Sequence, residues 1–382
     1  MSGKLNVVLV GLGFGGAFVP IYRHHPDIGT VGVFDPDMNL QEFFVKRFGC
    51  DKKYNTFDEI LDDKSVDAVH LISPIPLHEE QTIKVLEAGK HCACTVPMAI
   101  SLEGLSKIVK LVNKSGKNYM MMETALYTKH FFHVKEMIEN NEIGNIQFMR
   151  GAHYQDMENW PDYWLGLPPM YYGTHAIAPL VIASNSRIIR THCFGSGIMR
   201  EELHKQYNNP FPSECALFEF ENGIKGEVTR SLFSTARGYT ESFNIYGDKA
   251  TFEWQQIEEE ENPIIFRLGE LQPDGKGGYY RGKQLKLERF TPRNYSELLP
   301  QEIAKYTVRG KYYDETNPQL TFEEGGGHGG SHPHLVNEFV KSIIEGRKPW
   351  INEVIAANIT AAGICAHESA MNNGKEIIIP NF

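Results

Sequence analysis

The chain has 382 residues, 41% of them hydrophobic and 23% charged, a composition typical of a packed protein with about two domains. Lys and Arg total 38 against 48 Asp and Glu, which gives a formal net charge of −10. A surface of that sign repels phosphate backbones, and no basic run opposes the repulsion, so the sequence argues against a nucleic acid partner.

The first apolar run, Leu5 to Val10, is far too short to span a membrane, and no small-residue cleavage site follows it. It predicts a first β-strand and no membrane partner. The six cysteines are scattered, and Cys92 and Cys94 alternate inside a predicted strand. This usage is typical of buried, reduced thiols, and we expect a cytoplasmic protein.

The first third of the chain alternates short β-branched runs with helical patterns, such as those over 41–48 and 78–88. Strand–helix alternation predicts right-handed βαβ units, a parallel sheet and therefore a Rossmann domain, which we place at residues 1–125. The predicted strands are 5–10, 29–34, 68–72, 91–96 and 118–122.

After Thr128 the pattern changes. A helix is predicted over 131–140, ending near Gly144 in a left-handed cap, and Asn222-Gly223 predicts a hairpin turn between two alternating runs. The polar stretch 258–278 is interpreted as an excursion at the sheet rim. We expect residues 126–382 to form an α+β domain with a large mixed or antiparallel sheet, for substrate binding and oligomerisation. Its predicted strands are 146–153, 214–221, 224–231 and 241–246, and its last helices are 335–345 and 353–371.

A glycine-rich loop follows the first predicted strand directly, with Gly11, Gly13 and Gly16 spaced as G-x-G-x-x-G. Such glycines permit a tight turn, backbone approach to a pyrophosphate and close helix packing. Asp35 ends the next strand, where an acid accepts hydrogen bonds from a ribose 2′-hydroxyl and repels a 2′-phosphate. The spacing predicts NAD as cofactor; the alternative is a structural turn with a surface aspartate.

With this loop come Ser73-Pro74-Ile75-Pro76-Leu77-His78 and Ala88-Gly89-Lys90-His91, and together they resemble the Gfo/Idh/MocA family of sugar and inositol dehydrogenases along essentially the whole chain. In that family a Glu-Lys-Pro segment supplies a lysine that positions substrate, and an Asp-x-x-x-His motif supplies an acid and a catalytic histidine. Here the same places contain Thr95-Val96-Pro97 and Tyr171-Tyr172-Gly173-Thr174-His175.

The histidine is present, whereas the lysine and the aspartate are absent. Valine cannot carry a proton, so the resemblance implies that His175 is the base, because an imidazole titrates near neutral pH. Tyr172 is assigned an auxiliary catalytic role. The alternative is that His175 is a hydrogen-bonded core residue.

The combination of Val-Pro with Tyr-x-x-His is similar to the branch that contains glycoside hydrolase family 109, which uses NAD to oxidise a sugar carbon transiently. It is also similar to bacterial glycoside 3-oxidases. The resemblance therefore implies NAD-dependent oxidation of a ring hydroxyl, at C3, of a sugar or glycoside. Two alternatives stay open: an NAD-dependent glycosidase that works by oxidation and elimination, and a non-catalytic NAD-binding sensor.

Aromatic and histidine side chains supply the predicted substrate contacts, since aromatic faces stack on sugars and glycine-rich loops close over ligands. An aromatic core is the alternative for the tryptophans, and metal binding for the histidines is not favoured. Glu123 is either a cofactor contact or a solvated carboxylate. We also expect a homo-oligomer. The predicted substrate contacts are Tyr154, Trp160, Trp164, Tyr171, His328 and His332. The predicted cofactor contacts are Gly11, Gly13, Phe14, Gly15, Gly16, Asp35, Ser73, Pro74, His78, Thr95, Pro97 and Glu123.

Overall fold

Two units make up the chain, each built around its own sheet. The computed structural model describes residues 3–203, 206–260, 262–312 and 322–382. Within these ranges, the first unit comprises 3–129, 294–312, 322–361 and 382, and the second comprises the remainder. No helix in the described ranges is long and apolar enough to cross a membrane.

The first unit contains a six-stranded parallel sheet in the order β3-β2-β1-β4-β5-β6, which confirms the predicted Rossmann fold. Its central strands are almost fully buried apolar runs, as expected for a sheet covered on both faces. The strands are β1 (Leu5–Val10), β2 (Ile28–Phe34), β3 (Lys52–Lys53), β4 (Ala68–Leu71), β5 (His91–Cys94) and β6 (Tyr119–Met121). The helices between them are α1 (Val19–His24), α2 (Met38–Phe48), α3 (Phe57–Asp62), α4 (His78–Glu87) and α5 (Leu102–Ser115).

The boundary predicted between residues 125 and 126 differs from the observed packing. Residues 294–312 and 322–361 belong with the first unit, where Asn337 and Lys341 contact His25 and Asp27 respectively. The elements of this segment are α8 (Gln301–Ala304), β15 (Gly310–Tyr312), β16 (Phe322–Glu324), α9 (Gly327–Gly330) and α10 (His332–Ile344). The functional labels given to the two predicted domains remain predictions.

The second unit contains a nine-stranded mixed sheet in the order β14-β13-β12-β11-β7-β10-β9-β8-β17, in which only β7 and β10 are parallel neighbours among the described pairings. The strands are β7 (Ile146–Tyr154), β8 (Ile188–Ser196), β9 (Ser213–Phe220), β10 (Lys225–Ser231), β11 (Thr240–Gly247), β12 (Ala250–Glu253), β13 (Ile264–Leu268), β14 (Leu285–Arg289) and β17 (Ile377–Ile378). Its helices are α6 (Lys129–Glu139), α7 (Thr174–Ser184) and the C-terminal part of α11 (Glu353–Met371).

Three local predictions in this unit need correction or refinement. The stretch 258–278 contains strand β13, whose short apolar run Ile264-Ile265-Phe266 is masked by its polar flanks. Helix α6 ends at Glu139, and Asn141 with φ 57° takes the left-handed turn before Gly144. Cys215 is exposed, whereas the other five cysteines are buried. The Asn222-Gly223 hairpin is confirmed, with Gly223 at φ 90° between β9 and β10.

Candidate functional site

The glycine loop of the first unit is built for close backbone contact. Gly11 has φ +93°, and a Cβ there would lie 2.5 Å from the carbonyl oxygen of Ile72, so only glycine fits. A Cβ on Gly13 would meet nothing within 4 Å, which leaves this face of the loop open to a ligand. A Cβ on Gly16 would lie 2.1 Å from the Phe44 ring of α2. The third glycine therefore permits packing against the second helix.

Asp35 is held directly beside this loop. Its carboxylate accepts hydrogen bonds from the backbone N–H of Leu12 (2.7 Å) and of Asp37 (2.9 Å). An ionised carboxylate offers about four lone-pair sites, so these bonds leave capacity for ribose hydroxyls. The residues present thus fit an adenine dinucleotide without a 2′-phosphate.

Helix α1 does not begin directly at the glycine loop. Gly15–Phe18 forms a 3-10 turn, and α1 covers only Val19–His24, with Pro20 in its first turn. The amide groups nearest the loop therefore belong to a tight turn rather than to a long helix. Phe14, which is 47% exposed, lies on the loop's outer side.

The loops after β4 and β5 are joined by His78. Its Nε2 lies 2.8 Å from the carbonyl oxygen of Ser73, and its Nδ1 lies 2.7 Å from that of Pro97. Burial lowers the pKa of His78, and the two carbonyl contacts oppose this shift. The two ring nitrogens thus contact one carbonyl oxygen of each loop, and the buried residue positions the two loops. Thr95 lies beside it, 3.4 Å from Nε2.

Three further residues of the first unit have different surroundings from those predicted. Glu123 is fully buried and accepts a hydrogen bond from the N–H of Ala125, so it is not a solvated carboxylate. His328 and His332 pack against the glycine loop, where the centres of their rings lie 5.4 and 5.5 Å from the centre of the Phe14 ring. His332 also stacks on Phe18 at 4.3 Å, and burial holds its pKa well below the usual range. This histidine pair therefore lies beside the residues predicted to bind NAD.

The predicted catalytic residues of the second unit lie on the face of the large sheet that packs against helix α7. A Cβ on Gly151 would lie only 2.2 Å from the carbonyl oxygen of Ala176, so glycine lets the helix backbone approach β7. This approach places His175, the second residue of α7, above the sheet. Its Nε2 lies 3.4 Å from the hydroxyl oxygen of Tyr172.

Beneath His175 a row of buried polar residues crosses four strands. Strand pairing places Glu241 of β11 beside His153 of β7, His153 beside Arg230 of β10, and Arg230 beside Glu214 of β9. We call these four residues the polar row. Each is at most 9% exposed. Burying charges is costly unless they are paired and hydrogen-bonded, so the row marks a specialised region of the core.

Arg230 anchors the row to the loop below His175. Its guanidinium donates hydrogen bonds to the carbonyl oxygens of Tyr172 (2.9 Å), His153 (3.1 Å) and Ser231, and to the side-chain oxygen of Gln155 (3.2 Å). Burial lowers the pKa of Arg230 to about 10, which still leaves it charged at neutral pH.

At the other end of the row, Glu214 secures the preceding turn. One of its carboxylate oxygens accepts from the backbone N–H of Met170 (2.8 Å), and the other lies 2.6 Å from Nδ1 of His367. Tyr171 packs edge-on against the His367 ring at 5.3 Å. Burial raises the pKa of Tyr171, so it stays protonated at neutral pH.

Aromatic rings surround Tyr172 on the same side. Trp164 packs edge-on against it with ring centres 4.8 Å apart, and the 45% exposed Trp160 packs on Trp164 at 5.7 Å. The indole nitrogen of Trp164 is buried and has no hydrogen-bond partner among the described residues. The predicted aromatic cluster is thus present, with one half-exposed member.

Tyr154, another predicted substrate contact, lies on the other face of the large sheet. Successive side chains of a strand point to opposite faces, so Tyr154 points away from the face that carries His153. It lines a separate polar cavity of about 430 Å³ together with Arg237 and Trp254. The polar row was not predicted from the sequence. A signal for it is nevertheless present there, because each of the four strands carries one charged or histidine residue at an inward-facing position.

Comparisons with known proteins agree with both halves of this description. Residues 5–123 match the model of an oxidoreductase family with an NAD-binding Rossmann fold, and residues 131–253 match the GFO/IDH/MocA C-terminal domain. The two matches cover more than half of the chain. The chain belongs to the Gfo/Idh/MocA family. It carries an NAD-binding Rossmann domain, and the suspected branch is also supported by its relatives.

Among these relatives, an α-N-acetylgalactosaminidase of Shewanella oneidensis is 21% identical over 349 residues, which are 86% of this chain and 72% of that protein. An uncharacterised oxidoreductase of Rhizobium meliloti is 28% identical over 136 residues, which span 35% of this chain and only 40% of that protein. The structure of a levoglucosan dehydrogenase with NADH and levoglucosan has a TM-score of 0.77 at 20% identity, covering 99% of this chain and all of that one. At this identity the structural similarity establishes the Gfo/Idh/MocA fold alone.

Proposed function

We propose that this protein is an NAD-dependent dehydrogenase that oxidises a ring hydroxyl, at C3, of a sugar or glycoside. The observation that carries the proposal is the position of His175, buried above the polar row and next to the Tyr172 hydroxyl. A neutral imidazole accepts a proton near neutral pH, and the aromatic rings beside it offer the apolar surface that sugars stack on.

In the proposed reaction, His175 accepts the proton of the substrate hydroxyl while the adjacent carbon loses hydride. Bound NAD supplies the hydride acceptor. Tyr172 donates a hydrogen bond that orients the substrate oxygen. Val96, at the place of the family lysine, is buried and apolar and cannot carry a proton.

The same residues also support a second candidate, a glycosidase in which NAD is reduced and reoxidised within each turnover. The similarity to an α-N-acetylgalactosaminidase over most of this chain favours it. Both reactions begin with the same oxidation; they differ in whether the keto-sugar is released or loses its glycosidic substituent first.

The discriminating experiment mixes the protein with excess NAD and a panel of glucosides, galactosides and inositols. A steady rise in absorbance of reduced nicotinamide with one sugar class is the expected result and identifies the substrate. Release of aglycone without that rise would support the redox-cycling glycosidase. Tight NAD binding with neither signal would contradict both and support a binding protein.

A further inference from the structure

A carboxylate from another strand lies where the sequence motif lacks one. Tyr171 occupies the place of the family aspartate, yet Oε1 of Glu241 lies 3.6 Å from Nε2 of His175. Both side chains are at most 9% exposed. We propose that Glu241 is the positioning carboxylate of His175, which it orients and whose protonated form it stabilises. This inference rests on the proposed function.

The charged and titratable groups around Glu241 fit this role. The Tyr239 hydroxyl donates a hydrogen bond to Oε1, and His153 Nε2 lies 3.8 Å from the same atom. Burial, followed by the nearby carboxylate, raises the pKa of Tyr239, so this tyrosine remains a hydrogen-bond donor. The contact to Tyr239 also fixes the carboxylate in place, which preserves its distance from both imidazoles.

Two groups farther out act on Glu241 in opposite directions. Arg230 is close enough for its positive charge to attract the carboxylate, and Glu258 is close enough to repel it. The hydrogen bonds of Arg230 described above go to neutral oxygens, so this guanidinium supports the backbone under His175. Among the described groups, Glu241 is the carboxylate within 4 Å of both imidazoles.

The chemical step explains why a carboxylate is useful here. When the substrate O–H bond breaks, its proton passes to the imidazole of His175, and the C–H electron pair leaves as hydride to the nicotinamide. The imidazole becomes positively charged in a buried site. An opposite charge within about 4–6 Å favours the charged form of a titrating group, so Glu241 stabilises the imidazolium.

Titration of His175 tests the inference independently of any substrate. We would compare Glu241→Gln with Glu227→Gln, a control on the opposite, exposed face of the same sheet, where Glu227 pairs with Arg150. The His175 imidazole signal, assigned by its loss in His175→Asn, would be followed by NMR with NAD bound. The expected midpoint falls by about one pH unit in Glu241→Gln, and it stays unchanged in Glu227→Gln. An unchanged or raised midpoint in Glu241→Gln would overturn the inference.

Two further measurements complete the test. In the acid limb of the kcat–pH profile, Glu241→Gln should move to lower pH by the same amount, with kcat about tenfold lower at its plateau. Glu241→Asp keeps the negative charge, so the titration midpoint of His175 should lie close to its wild-type value. This variant also replaces the glutamine variant in the test if the glutamine variant does not fold. If the His175 midpoint shifts in Glu241→Gln but the wild type oxidises no sugar, only the proposed function is contradicted. If the wild type oxidises a sugar but the midpoint does not shift in Glu241→Gln, only the role of Glu241 is contradicted.

Discussion

The two units assemble their candidate functional residues in contrasting ways. In the first unit, the residues that fit a dinucleotide come from one short stretch of sequence. They are the loop from Gly11 to Gly16, and Asp35, which directly follows the next strand. In the second, Glu241, His153, Arg230 and Glu214 come from four strands and meet only through sheet pairing.

The contrast follows from what each site must recognise. A pyrophosphate is bound by backbone amides, so the site requires glycines at fixed spacing. Such spacing can be recognised directly in a sequence. Proton transfer from a hydroxyl needs side chains at fixed distances, and strand register sets those distances. If the two kinds of site are separable, substitutions in one unit should leave the property assigned to the other unchanged.

The largest expected effect is on turnover. His175→Asn removes the proposed base, and general-base catalysis contributes about 10²–10⁴-fold, so kcat should fall by that order. NAD affinity, measured by calorimetry, should stay unchanged because the glycine loop and Asp35 are intact. Turnover within twofold of the wild type would show that another residue is the base.

Removing the centre of the polar row should cost stability. Arg230→Met leaves buried carbonyl oxygens without their donor, and breaking a buried charge network costs about 3–5 kcal/mol. Arg150→Met, on the exposed face of the same sheet, removes a surface ion pair worth about 0–1 kcal/mol. Urea denaturation would compare the two variants; equal losses would mean that the row is not a structural anchor.

On the cofactor side, Asp35→Ala should weaken NAD binding about tenfold or more, since hydrogen bonds to charged groups contribute about 1.5–3 kcal/mol. At saturating NAD, kcat should remain close to that of the wild type. Glu42→Gln on the exposed side of α2 is the control. A lower kcat with unchanged NAD affinity would reverse the roles assigned to the two units.

The smallest expected effect is a pH dependence confined to the first unit. Burial lowers the pKa of His70 to about 3, below the ~6.5 of an unfolded histidine. The unfolded chain therefore binds more protons, and the stability that His70 contributes is present above pH 6.5 and is lost as the pH falls toward 3. His70→Gln should flatten this acid loss in urea titrations, and an equally steep loss would rule out His70 as its source.

The Rossmann strands, the glycine loop and Asp35 could be predicted because local patterns determine them. His175 was predicted only because it belongs to a motif. Its carboxylate neighbour Glu241 could not be predicted, because Glu241 lies in a distant strand and no short sequence spacing connects the two residues. Likewise, Tyr154 was expected beside the substrate, but the alternation of β7 places it on the other face. Strands β8, β12, β13 and β14 were missed because their pairing partners decide their extent.

The most direct test of the central claim, hydride transfer from C3 of a sugar ring, uses the glycoside that the panel identifies, deuterated at C3 alone. If the hydride comes from C3, deuterium appears on the nicotinamide and a primary isotope effect slows its reduction, with neither effect from deuterium at C2 or C4. Label transfer from another ring position, or reduction without label from C3, would contradict it.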